Sequence, residues 1–196
     1  FYPHISGAAR SRNHYPVSPL KAEGGIAAVC IGLGRQVASG EKCLRFSPGQ
    51  PKRIHQFHST ESMLDTSQTS FWAIPMGASE KQVSPDEAAN LVNLSLRDAE
   101  SDGRLDLVGS TYIVADDRIV DSVKADGGPR VVTFAPILKH KRVPLAGILH
   151  HVLTRCEAYL NSPIEIEFAF ILDEETDTQI FALLQVRPIL EESVDI

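Results

Sequence analysis

The chain has only three cysteines, Cys30, Cys43 and Cys156, and neither their number nor their spacing gives a disulfide framework or a cysteine-based zinc module. No apolar run approaches the roughly 18 residues of a membrane span. The longest candidate, from Ile26 to Leu33, is broken by Gly32. The chain does not open on a charged segment followed by an apolar stretch, so a reducing, cytoplasmic setting is the expectation. Positive charge is also short: 19 Lys and Arg against 25 Asp and Glu leave a formal net charge of -6. That balance supplies no field for nucleic acid. Repeats and low-complexity tracts are absent.

What is present is enough for a core. The 196 residues are 43% hydrophobic and 22% charged, which fits one globular domain spanning 1–196. The chain starts at Phe1, directly in a strand-like stretch, and is read as a fragment of something longer. Ile5 to Ser11 is a predicted strand. Gly24 to Gly34 alternates small and β-branched residues like a buried strand entering a glycine turn. Lys42 to Phe46 is a further strand, and residues 47–68, with Pro48, Gly49 and Pro51, form a connection or insertion. Ser84-Pro85-Asp86-Glu87 has the pattern of a capping box, predicting a helix that ends before Gly103. Asp116-Asp117 is expected to turn a hairpin, and Arg130 to Ala135 is a short strand. Leu145, Ile148, Leu149, Val152, Leu153, Cys156 and Leu160 repeat at helical spacing and predict a helix packed on a sheet.

The strongest chemical pattern is C-terminal. Ile164, Ile166, Phe168 and Phe170 alternate with Glu165, Glu167 and Ala169, and a second segment places Phe181, Leu183, Gln185 and Arg187 on one side. A turn through Asp173 to Asp177, centred near Thr176, sets Glu167 opposite Gln185 and Glu165 opposite Arg187. Two carboxylates, an amide and a guanidinium then share a face. Carboxylates suit Mg²⁺ carrying a nucleotide triphosphate, and an arginine fork suits phosphate. The alternative is ordinary cross-strand pairing on a solvated face, worth about 0.2–1 kcal/mol per pair.

Ile166-Glu167-Phe168 and Leu184-Gln185-Val186-Arg187-Pro188, with Ser6-Gly7, Arg12-Asn13, and Gly32-Leu33-Gly34 followed by Val37 and Gly40, resemble the nucleotide-binding region of the phosphoenolpyruvate synthase and pyruvate phosphate dikinase family. The resemblance covers both ends of the chain and leaves the centre poorly matched. It implies an α+β, ATP-grasp-like lobe with a mostly antiparallel sheet and packed helices. It also implies ATP and Mg²⁺ as cofactors, Glu167 as metal ligand with Glu165 as its acidic companion, Gln185 near metal and phosphates, and Arg187 as phosphate contact. Glu167 and Arg187 would then be the catalytic pair. The partners implied are a small-molecule nucleotide, the remaining ATP-grasp lobe and a phosphohistidine domain of the same protein. Ala28 and Arg35 stand where many relatives carry an acid, and Glu165 where aspartate is more usual.

Other candidates have two readings each. Gly32 and Gly34 are a turn or a backbone approach to nucleotide, and Arg10 and Arg12 are surface ion pairs or phosphate contacts. His55 and His58 lack further ligands at zinc spacing, and no histidine matches a phosphoryl carrier. Of His150 and His151, adjacent on a helix, one is expected to be partly packed. Trp72, within Phe71-Trp72-Ala73-Ile74, is assigned to a core strand rather than to adenine stacking. Two function classes follow: a MgATP-binding lobe of an ATP-dependent phosphotransferase, or a non-catalytic nucleotide-binding or regulatory lobe that has lost turnover.

Overall fold

Residues 1–76, 84–173, 176 and 178–189 are described by the computed structural model. In chain order the strands are β1 (Ile5–Arg10), β2 (Ile26–Cys30), β3 (Leu44–Phe46), β4 (Ser70–Ala73), β5 (Val92–Ser95), β6 (Gly109–Ile113), β7 (Arg118–Val120), β8 (Arg130–Val132), β9 (Ile164–Asp173) and β10 (Thr178–Pro188). The α-helices are α1 (Arg35–Ala38), α2 (Thr60–Thr66), α3 (Leu96–Ser101), α4 (Ala135–Leu138) and α5 (Leu145–Leu160). The main sheet has the order β10-β9-β1-β2-β3, with every neighbouring pair antiparallel. Two smaller antiparallel sheets, β4-β5 and β7-β6-β8, complete an α+β arrangement.

Alternation fixes which side of the main sheet is buried. Ile5, Ala9, Ala27, Val29, Ile166, Phe168 and Phe170 turn inward and are at most 1% exposed. Against them lies α5, whose Leu145, Leu149 and Leu153 recur at four-residue spacing and are all buried. Fully burying each such leucine contributes roughly 1.5–3 kcal/mol. The helix ends at Asn161, which takes the left-handed conformation at φ 49°. His150 and His151 are both exposed, against the expectation that one packs, because the buried stripe passes through Leu149 and Leu153 instead.

The β9-β10 hairpin has the expected register at its far end: Glu167 faces Gln185 and Glu165 faces Arg187. Between Leu183 and Gln185 the pairing shifts, and Leu184 is the extra residue of a β-bulge. The single face expected for Phe181, Leu183, Gln185 and Arg187 is therefore split. Phe181 and Leu183 stand opposite Phe170 and Phe168, and the Phe181 ring stacks on Phe168 with centroids 5.4 Å apart. Gln185 and Arg187 project from the opposite side.

Two further expectations change. The helix expected after Ser84 is a 3-10 turn at Glu87–Asn90, capped by the Asp86 side chain, followed by β5 and then α3. Pairing with β4 overrides the helical spacing there, because Leu94 lies opposite the fully buried Phe71. Residues 47–68 are not a bare loop: they contain a 3-10 turn at His55–Phe57 and α2, whose first turn is capped by Ser59 Oγ accepting from Ser62 N–H. Among the described residues no helix is long and apolar enough to cross a membrane.

The N-terminus ties the sheets together. Tyr2 donates its hydroxyl to Asp102 at 2.6 Å, its ring lies 4.5 Å from Phe71, and its carbonyl accepts from Arg104 at 2.8 Å. His4 is 3% exposed, and its Nδ1 accepts the Leu172 N–H at 3.2 Å, so the proton of the neutral ring is on Nε2. Burial, aided by the Arg104 charge, pushes the His4 pKa down from 6.5 to about 4. Between those values the unfolded chain binds a proton that the folded chain refuses. Stability is therefore full above pH 6.5 and falls as the pH drops toward 4, by roughly 3 kcal/mol at about 1.4 kcal/mol per pKa unit. Urea unfolding midpoints across this window should decline in the parent protein, and His4→Gln should remove most of the slope.

Candidate functional site

The face of the main sheet turned away from α5 carries small residues at its centre and charges around them. One cross-strand row runs Gln185, Glu167, Ala8, Ala28, Arg45, and the next runs Arg187, Glu165, Arg10, Ile26. Ala8 and Ala28 leave a depression that larger side chains would fill. It opens into a cleft of about 870 Å³. Arg12, Asn13, His14, Tyr15 and Val17 form one wall, held by Asn13 N–H donating to the Ala22 carbonyl at 2.9 Å. Arg45, Phe46, Ser47, Arg53, His55 and Gln56 form the other, and Val37 of α1 also lines the cleft. Gln56 fixes that wall by accepting from Arg45 N–H at 2.6 Å and donating to the Cys43 carbonyl at 3.1 Å, which covers the β3 edge.

Charge in the cleft is one-sided. Arg10, Arg12, Arg45 and Arg53 line it, with Glu165 the one carboxylate among the lining residues. That carboxylate is already occupied. Arg10 Nε donates to Oε2 and Arg187 Nη2 to Oε1, and the Glu165 side chain is only 8% exposed. Its burial raises the pKa, but the hydrogen bonds and charges of Arg10 and Arg187 outweigh this and hold it below the usual glutamate value. The salt-bridged form is thus favoured above the ordinary carboxylate range and is lost as pH falls through the lowered value.

The residues singled out from sequence separate into three places. Arg10, Arg12 and Glu165 line the cleft, although Arg12 also donates to Glu157 of α5 at 3.3 Å. Glu167, Gln185 and Arg187 stand at the β9-β10 side and do not line it. Gly32 and Gly34 lie elsewhere. Gly32 N–H donates to the Pro3 carbonyl at 3.3 Å and Leu33 N–H to the Trp72 carbonyl at 2.9 Å, so these amides serve the packing of a turn. Gly32 has φ +87°, and an added Cβ would lie 2.8 Å from the Trp72 carbonyl oxygen. Trp72 does not face the cleft either: its indole N–H donates to Glu41 at 3.2 Å, with the Arg35 guanidinium 4.9 Å from the ring centroid.

The magnesium expectation is corrected by the same geometry. Among the described residues no group of three or more His, Cys, Asp or Glu side chains is placed to hold a metal ion. Glu165 is engaged by two guanidiniums, and Glu167 has Gln185 and Ala8 as its cross-strand neighbours rather than another acid. No family model matches the chain, and no curated protein matches it. The description as a magnesium-dependent ATP-grasp kinase of the phosphoenolpyruvate synthase and pyruvate phosphate dikinase type, with MgATP as cofactor, is withdrawn on these findings.

Sequence reasoning missed Arg45, Arg53 and His14, and weighed His55 only as a zinc ligand. Arg45 had a local signal, since Leu44 and Phe46 flank it and both are buried, which forces Arg45 onto the open face. Arg53 and His55 had none, because the turn that brings them to β3 is set by Gln56 bonding the β3 backbone 11 to 13 residues earlier and by Ile54 and Phe57 packing on the core. The two carboxylates should behave differently in urea unfolding at neutral pH. Glu165→Gln should cost about 1–3 kcal/mol, the scale of losing charge-assisted hydrogen bonds at a buried acceptor, whereas Glu167→Gln should leave the midpoint unchanged within error.

Proposed function

We propose that the cleft over Ala8 and Ala28 binds a phosphate-bearing small molecule of the nucleotide class without a protein-held metal, and that the chain is a non-catalytic, regulatory nucleotide-binding lobe. The observation that carries this reading is the lining itself: four arginines around an apolar floor, with the single carboxylate already paired. Guanidiniums meet phosphate oxygens through charge-assisted forks, and a floor of methyl groups accepts the flat face of a base. The volume of about 870 Å³ falls within the roughly 300–1,000 Å³ of small-molecule sites. No general base or metal-activated water is part of the proposal. Binding and its consequence for a partner would be the output.

We also assign the chain to a reducing, cytoplasmic compartment. Cys30, Cys43 and Cys156 are free thiols, and Cys30 and Cys43 are buried. Burial, with a minor contribution from Cys43, pushes the Cys30 thiol up to about 12, so it stays unreactive at neutral pH.

Calorimetry with ADP and with adenosine, in buffer containing EDTA, tests the main reading. ADP should bind more tightly than about 1 mM and adenosine should not. Arg45→Ala and Arg53→Ala should each weaken ADP about tenfold or more, and added salt should weaken it further. Equal affinity for ADP and adenosine, or no ADP binding at millimolar concentration, would remove the anion cleft from consideration.

A further inference from the structure

Resting on that reading, we propose that Glu165 is a positioning residue: it holds Arg10 side-on, so that the terminal amino groups of this arginine face the phosphate oxygens of a ligand in the cleft. The bonding pattern is asymmetric in a useful way. Arg10 uses only Nε on Glu165, and its two Nη nitrogens have no hydrogen-bond partner among the described residues. Arg10 lines the cleft and its side chain is 52% exposed. The free end of the guanidinium is the part that would form a bidentate fork with phosphate.

Arg187 explains why a carboxylate can sit beside an anion site. Arg10 and Glu165 alone would cancel, leaving the charge of this side of the cleft to Arg12, Arg45 and Arg53. Here Glu165 lies directly opposite Arg10 on β1 and opposite Arg187 on β10, and each carboxylate oxygen serves one of them. The trio keeps a net positive charge. Arg187 does not line the cleft, so its contribution is to share the carboxylate while Arg10 meets the ligand. A free arginine side chain samples many rotamers, and a buried partner on a rigid strand reduces what must be lost on binding.

Two forces make opposite predictions for Glu165→Gln, and that decides the matter. Removing a negative charge beside an anion site should tighten binding if net charge alone governs. Loss of the grip on Arg10 should weaken it. The experiment measures inorganic pyrophosphate binding by calorimetry, without divalent ions, to the parent protein, Glu165→Gln, Arg10→Ala and the double variant. We expect Glu165→Gln to weaken binding about tenfold, and to cause no further weakening in the Arg10→Ala background. Unchanged or tighter binding by Glu165→Gln overturns the proposal. So does an equal loss with and without Arg10, which is what a purely structural carboxylate would give. Should Glu165→Gln not melt cooperatively, Glu165→Asp replaces it: this keeps the charge but falls one methylene short of Arg10, and the same pair of outcomes applies. If the parent protein binds no pyrophosphate, the anion-cleft reading itself fails and this inference with it. Binding by the parent with an indifferent Glu165→Gln sinks the positioning role alone.

Discussion

The centre of the middle strand of the main sheet, Gly7 to Ala9, can afford almost no side chain, and this restriction shapes both of its faces. An added Cβ at Gly7 would lie 2.2 Å from the Ala28 carbonyl oxygen and 3.0 Å from the Phe168 ring, so only glycine lets β2 and the aromatic core close on β1 together. Ala8 and Ala9 follow. On the inner side, Ala9 leaves room for the stripe of leucines from α5. On the outer side, Ala8 and its neighbour Ala28 leave the depression that becomes the cleft. A sheet with valine or isoleucine at these positions would satisfy strand propensity better and would have no site.

Much of the architecture could be read before any coordinates, for reasons that are local. The α5 stripe, the Glu167–Gln185 and Glu165–Arg187 pairings and the Asp116-Asp117 turn all depend on neighbours close in the chain or on simple alternation. The bulge at Leu184 could not be read, since one extra residue in a strand leaves no compositional mark. The stretch after Ser84 failed for a different reason. Its helical spacing is real, but β5 pairs with β4 and sets Leu94 opposite Phe71 and Val92 opposite Ala73.

The site was harder to read than the fold. Glu165, Arg10 and Arg12 were singled out as candidates, and all three line the cleft, but their contacts differ from a metal-centred picture. Period-two reasoning identifies which side chains share a face. It does not identify which charges neutralise each other, and Glu165 turned from a metal ligand into an anchor for two guanidiniums once β1 was seen beside β9. Arg53 and His55 come from a segment that has little periodicity, and the Gln56 side chain, bonded to the β3 backbone, together with Ile54 and Phe57 packed on the core, brings them to the cleft wall.

The bulge in β10 also has a consequence for how this surface can change over time. Because Leu184 resets the parity of the strand, the aromatic half before it and the polar half after it obey separate alternations. Substitutions in one half leave the phase of the other intact. Deletion of Leu184 alone would remove the bulge and leave Leu183 opposite Phe168 and Gln185 and Arg187 opposite Glu167 and Glu165, on the faces they already occupy. The bulge thus makes this edge strand tolerant of a change in length at one position, while the pairing of Arg187 with Glu165 is kept.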